Sequence, residues 1–126
     1  IKLGIPCITT KNAHSLYMLI DNAEEQATVF LISESGKTAE VLKAARLAKS
    51  RGLTVIAMTR SKKNPLHDLA DILLETICFE TQTRLNVTTM RCSQLFLIDS
   101  IYLLIMKSDF EKYNGLVNRA GELAQK

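Results

Sequence analysis

The chain reads as an α/β protein built on a parallel sheet, and three observations predict this. Residues 28–32 and 53–59 are apolar runs without alternation, the mark of strands buried on both faces. Between them, residues 40–51 form an amphipathic run with helical spacing. A hydroxyl-rich turn with one glycine, Ser33-Glu34-Ser35-Gly36-Lys37-Thr38, joins the first strand to that helix. Strands alternating with helices pack as parallel strands connected by right-handed crossovers.

Taken in order, Ile1-Lys2-Leu3-Gly4-Ile5-Pro6 reads as a helix end, a glycine terminator and a strand start, so the chain is expected to open inside a fold. Residues 6–10 are then a short strand. Residues 13–22 are a short helix capped by Asn12, with Leu16, Met18, Leu19 and Ile20 as its apolar surface. A polar turn, 21–26, leads into the strand 28–32. The helix 38–51 carries Val41, Leu42, Ala45, Leu47 and Ala48 inward and is closed by Gly52. After the strand 53–59 and a loop at 60–64, Pro65 is placed to open a short helix through Ala70. A shorter buried strand covers 72–75. A connector over 76–83 precedes a long helix from 84 to 107, and a last helix spans 110–125, loosened around Asn114-Gly115.

The long helix is predicted to have more than one neighbour. From Leu95 to Met106 apolar residues run nearly all the way round, whereas a helix packed only on its own sheet keeps a polar stripe. The sheet and another chain should cover it, or else the final helix takes the second face. Asp99 and Ser100 interrupt this stretch, which reads as too short to span a bilayer.

With 126 residues, 47% hydrophobic and 23% charged, the chain has the composition of one soluble globular domain. The net charge of +3 is mild, and Lys43, Arg46, Lys49 and Arg51 are interleaved with core positions on one helix, as a solvated face. Nothing resembles a DNA-reading helix or a dense basic stripe. Cys7, Cys78 and Cys92 are odd in number, widely spaced and without a C-x-x-C, which argues against a metal site or a disulfide and for a reducing cytosol. No signal peptide is visible, and neither a cofactor nor a metal is expected.

The chemistry concentrates at the turn. A helix N-terminus presents backbone N–H groups with no intrahelical partner, and its dipole favours negative charge. Ser33, Ser35 and Thr38 add uncharged hydroxyl donors there, which suits a phosphate monoester. Thr38 alone is equally explained as an N-cap, but one cap needs one hydroxyl and this turn has three. The spacing is neither a Walker loop nor a dinucleotide fingerprint, so a small phosphate ester is expected rather than a nucleotide.

These residues resemble the sugar isomerase (SIS) domain. The resemblance rests on Ile32-Ser33-Glu34-Ser35-Gly36-Lys37-Thr38-Ala39-Glu40, the strand Thr54-Val55-Ile56-Ala57-Met58-Thr59, Asn64-Pro65-Leu66 and Leu69-Ala70-Asp71. Phe79-Glu80-Thr81, Arg84, Arg91 and Gln94 to Tyr102 are similar to the version in RpiR-type bacterial transcriptional regulators. The resemblance implies a three-layer α/β/α sandwich with a flavodoxin-like parallel sheet in the order 2-1-3-4-5. On that scheme residues 1–126 are one SIS domain lacking its first strand, the loop and helix after it, and the upstream helix-turn-helix domain. Part of the pocket wall, at the switch point beside the first strand, should then lie outside this sequence.

The resemblance also implies a phosphosugar ligand, with Ser33, Ser35 and Thr38 and the amides of Gly36 and Lys37 on the phosphate. Glu34 would face the sugar hydroxyls or point away. His14 is a candidate sugar contact or an exposed loop histidine. Glu80 and Arg84 either close the pocket from a neighbouring subunit or pair locally at the start of the long helix. Glu40 is explained by the helix dipole. The implied role is a cytoplasmic, dimeric or higher-order effector domain that signals a sugar phosphate to DNA through a domain not in this chain, with no membrane partner. The alternative is an aldose–ketose isomerase in the same pocket, whose base would come from Glu34, Glu40, Glu80 or His14.

Overall fold

The computed structural model describes residues 3–77 and 85–124. Its elements are α1 (Ala13–Asp21), β1 (Thr28–Ile32), α2 (Ala39–Ser50), β2 (Thr54–Arg60), β3 (Ile72–Thr76), α3 (Leu85–Ser108) and α4 (Phe110–Ala124), with a short 3-10 turn at His67–Leu69. They fall into two compact units, Thr10–Gln94 and Ile1–Thr9 with Leu95–Lys126.

The first unit is the predicted sheet. Its strands are all parallel in the order β1-β2-β3, with Thr28 opposite Thr54 and Ile56 opposite Ile72. That order of consecutive strands is what the 3-4-5 half of a 2-1-3-4-5 sheet looks like. One face is covered by α2, which touches β1 and β2, and α1 packs beside α2. The core is Ile20, Leu31, Ala44, Ala45, Ala48, Leu53, Val55, Ala57 and Leu66. Three alanines on one stripe of α2 let its backbone approach the strands closely. Val41, Leu42 and Leu47 pack half-buried around them. Burying side chains such as Leu31, Leu53 and Val55 stabilises the fold by about 1.5–3 kcal/mol each.

Local signals were obeyed closely. The Asn12 side chain accepts from Ser15 N–H at 2.9 Å and caps α1. α2 ends in a Schellman motif: Gly52, at φ 71°, donates to Lys49 O at 3.0 Å and Leu53 donates to Ala48 O at 3.0 Å. Only glycine takes that backbone conformation without strain. Asp71 then ties the two strands that follow, accepting from Val55 N–H at 2.8 Å and from the Lys49 ammonium.

Three expectations need correction. Residues 6–10 form no strand. A strand must satisfy its backbone in a ladder, Pro6 has no N–H to give, and β1 pairs only with β2 among the described residues. Ile5 and Ile8 are accordingly exposed. The helix expected over 65–70 shrinks to the 3-10 turn, because Leu66 N–H is taken by Asn64 Oδ1 at 3.1 Å and Ala70 is already extended ahead of β3. The helix α4 runs unbroken through Asn114-Gly115, where a glycine costs about 1 kcal/mol without stopping the helix.

In the second unit Asp109 starts α4, its Oδ1 accepting from Lys112 N–H at 3.3 Å. The apolar stretch of α3 is longer than expected. Thr88–Ser108 is 21 residues with a mean hydropathy of 1.3, enough by length and composition to cross a membrane, so shortness does not exclude a span. It also holds Arg91, Asp99 and Lys107. Leu95, Phe96, Ile98, Leu103 and Leu104 are exposed along it, while Ile101 is half-buried.

Candidate functional site

The turn leaves the C-terminal end of β1 and is held from below by β2. Ser33 N–H extends the ladder to Met58 O at 3.0 Å, and Gly36 N–H closes the turn on Ser33 O at 3.1 Å. Glu34 O is claimed twice, by Arg60 N–H at 3.3 Å and by the Thr59 hydroxyl at 3.2 Å. The backbone between the two serines is thus fixed to the end of β2.

Thr38 occupies the N-cap position of α2 with extended backbone (φ −62°, ψ 118°), and its side chain makes no capping hydrogen bond. Its Oγ1 lies instead 3.0 Å from Ser33 Oγ. The N–H groups of the first α2 turn have no intrahelical acceptor, and Thr38 does not supply one. Ser35 Oγ accepts from Lys37 N–H at 3.2 Å, which leaves its own proton to donate. Ser33 and Gly36 are buried, Ser35 is half-buried, and Lys37 and Thr38 are exposed.

Gly36 is required by space as well as by its φ of 60°. A Cβ there would stand 1.7 Å from Asn64 Oδ1. Asn64 is buried and fully engaged: Nδ2 donates to Thr59 Oγ1 at 3.2 Å and Lys62 O at 3.0 Å, while Oδ1 accepts from Leu66 N–H at 3.1 Å. Thr59 therefore passes a chain of hydrogen bonds from Asn64 to Glu34 O. His67 Nε2 sits 3.1 Å from Arg60 O, 3.3 Å from Asn64 Nδ2 and 3.8 Å from Glu75 Oε1.

The remaining sequence-predicted residues are placed unequally. Glu34 is half-buried and its Oε2 accepts from the Thr76 hydroxyl at 3.4 Å, so the carboxylate lies across the strand ends towards β3. His14 is exposed in the first turn of α1. One turn on, the Tyr17 hydroxyl donates to Glu40 O at 3.3 Å, and Lys43 Nζ lies 4.7 Å from the Tyr17 ring centroid. These contacts bring the middle of α1 beside the N-terminal turn of α2. Glu80 and Arg84 lie outside the described residues. Among the described residues no group of three or more His, Cys, Asp or Glu side chains is placed to hold a metal.

Sequence reading missed Thr59, Asn64 and Thr76. The signal for Asn64 was present in Asn64-Pro65, an Asx-turn pairing. The other two are small polar residues inside strands, and only the register reveals that they meet the turn.

Comparison with known proteins shows the family. The SIS domain family matches residues 2–104. The uncharacterized HTH-type transcriptional regulator YbbH of Bacillus subtilis is 33% identical over 109 residues, 86% of this chain and 38% of that protein. The HTH-type transcriptional regulator RpiR of Escherichia coli K12 is 27% identical over 123 residues, 98% of this chain and 42% of that protein. The chain thus spans about two fifths of the length of these curated relatives. The structure of Vibrio vulnificus NanR complexed with ManNAc-6P superposes with a TM-score of 0.87 at 25% identity, covering 97% of this chain and 46% of that one. With its parallel α/β sheet, hydroxyl turn and family match over residues 2–104, the chain belongs to the SIS domain family, in company with RpiR-type regulators.

Proposed function

We propose that the chain is the phosphosugar-sensing effector domain of a transcriptional regulator and that Ser33, Ser35, Gly36, Lys37 and Thr38 hold the phosphate, the Gly36 and Lys37 N–H groups turning to it from Ser33 O and Ser35 Oγ, to which they donate in the structure. The observation that carries this reading is the Thr38 hydroxyl, which pairs with Ser33 at 3.0 Å and leaves the first-turn amides of α2 without a side-chain cap. A dianionic phosphate is the ligand such a terminus accepts best. Glu34, His14, Glu80 and Arg84 contact the sugar. The ManNAc-6P complex of NanR supports a sugar phosphate as the ligand class.

The protein senses rather than isomerises. Sensing needs only binding that favours one conformation, and the matched relatives are named as regulators. The DNA-binding domain is another part of the protein, and the site of action is the cytoplasm. The exposed apolar side of α3 is covered by a second copy of the chain, since two-fold dimers are the form in which regulators meet paired half-sites.

The test is calorimetry on the full-length protein with a panel of hexose 6-phosphates that includes ManNAc-6P, followed by operator binding with and without the best ligand. Micromolar binding of one member, a shift in operator affinity and an unconverted sugar are expected. Turnover of the sugar to its ketose or aldose would move the reading to an isomerase.

A further inference from the structure

β2 ends in Thr59 and Arg60, and successive side chains of a strand leave opposite faces. Thr59 belongs to the α2 face, with its hydroxyl on Glu34 O. Arg60 is in register with Thr76 on the other face. The Thr76 hydroxyl donates to Glu34 Oε2, so the Glu34 carboxylate lies on the Arg60 face as well. The Arg60 backbone N–H meanwhile donates to Glu34 O at 3.3 Å, one hydrogen bond from the hydroxyl turn.

The Arg60 side chain lacks the partners its chemistry demands. Its Nε is buried and meets no hydrogen-bond acceptor among the described residues. Proteins seldom leave a buried donor unsatisfied, and an arginine cannot discard its charge to lower the cost. Of the acidic side chains at this end of the sheet, Asp68 lies beside Lys63, Glu75 beside His67, and Glu34 accepts from the Thr76 hydroxyl. Among the described residues none forms an ion pair with Arg60.

We propose that Arg60 is a specificity-determining residue of this site, donating from its guanidinium to an oxygen on the sugar part of the ligand while the turn holds the phosphate. The inference rests on the phosphosugar reading. Arginine offers a planar fork of donors and no acceptor, so it selects carbonyl, carboxylate or hydroxyl oxygens. Glu34, an acceptor on the same face, takes hydroxyl hydrogens. Together they read opposite polarities on one ring. The phosphate is not the Arg60 target, because the Ser33 and Thr38 hydroxyls meet at the start of α2, on the opposite face.

The experiment is calorimetry on the full-length protein with the hexose 6-phosphate panel and, separately, with inorganic phosphate. Arg60→Gln is expected to weaken the tightest phosphosugar about 10- to 100-fold and to leave inorganic phosphate unchanged. Arg60→Lys keeps the charge but not the planar guanidinium fork, so it should recover little of the loss. Lys63→Gln removes an exposed cation from the same loop and should have no effect. Thermal melts of each variant confirm folding; if Arg60→Gln does not fold, Arg60→Lys carries the comparison. Wild-type phosphosugar affinity in the folded variant overturns the inference, as does an equal loss for phosphosugar and inorganic phosphate. A wild-type protein that ignores the whole panel overturns the phosphosugar reading itself, and this inference with it.

Discussion

The Thr38 hydroxyl stands 3.0 Å from the Ser33 hydroxyl across the neck of the turn and takes no part in capping α2. Ser33 is buried and Thr38 exposed, so the inner hydroxyl orients the outer one. In the phosphate reading Ser33, Ser35 and Thr38 all face the phosphate, and the buried Ser33, paired with Thr38, has the least of its hydroxyl free for it.

Binding should reflect that division. Ser35→Ala and Thr38→Val are each expected to weaken a phosphosugar by about 1–3 kcal/mol, the range for a hydrogen bond to a charged group. Ser33→Ala should cost less. Calorimetry on the three variants checks this, and unchanged affinity in all of them would reduce the turn to a helix cap.

Gly36 and Asn64 form a steric pair. Gly36→Ala places a Cβ 1.7 Å from Asn64 Oδ1 and holds alanine at a φ of 60°. Strain and overpacking together should destabilise the protein by about 2–4 kcal/mol. Asn64→Gly is itself destabilising, since Leu66 N–H and Thr59 Oγ1 lose a partner, but combining it with Gly36→Ala removes the clash. The double variant should be more stable than the sum of the two losses, by about 1 kcal/mol or more. Denaturant melts give the cycle, and strict additivity would show that Asn64 is not the obstacle.

Asp71 sets a pH dependence. Its hydrogen bond to Lys49 and then that from Val55 N–H hold its carboxyl below the usual aspartate value. The ionised form is therefore favoured in the fold. The stability it contributes is full above the unfolded-state value and is lost as pH falls towards the lower folded-state value. Asp71→Asn should lower Tm at neutral pH and make the loss on acidification shallower. Melting curves from pH 7 to pH 2 test it; an acid limb identical to wild type would assign the dependence to other carboxylates.

What was legible in the sequence was local chemistry. Asn12 and Gly52 mark helix ends because capping needs only residues a few positions apart, and the hydroxyls of 33–38 lie within one turn. Buried strands announce themselves by apolar runs. The clasp on the turn was not legible, since Asn64, Thr59 and Glu34 come together only through the parallel register of β1 and β2. Arg60 falls where the sequence reads as loop, and its significance lies in what its Nε fails to meet among the described residues. Residues 6–10 were misread for the converse reason. Strand propensity is a statement about a segment, whereas a strand is a relation between two.

The exposed apolar side of α3 leads to the last prediction. Leu95, Phe96, Leu103 and Leu104 are more than half exposed, and large apolar residues exposed together on one helix, here with Asp99 among them, mark a surface that meets a partner or a membrane. A second copy is the partner in the regulator reading, and the interface then sets the spacing of two DNA-binding heads. A sugar phosphate that prefers one dimer geometry shifts operator affinity by its differential binding. Phe96→Asp or Leu104→Asp is preferable to a change at Ile101, which is half-buried and would also disturb packing. Either variant should convert dimer to monomer in sedimentation, keep its circular dichroism, and lose the ligand response on operator DNA while still binding phosphosugar in calorimetry. A folded monomer that still answers to ligand on DNA would rule out transmission through this interface. Wild-type protein that partitions into lipid vesicles, and a variant that does not, would assign the face to a membrane instead.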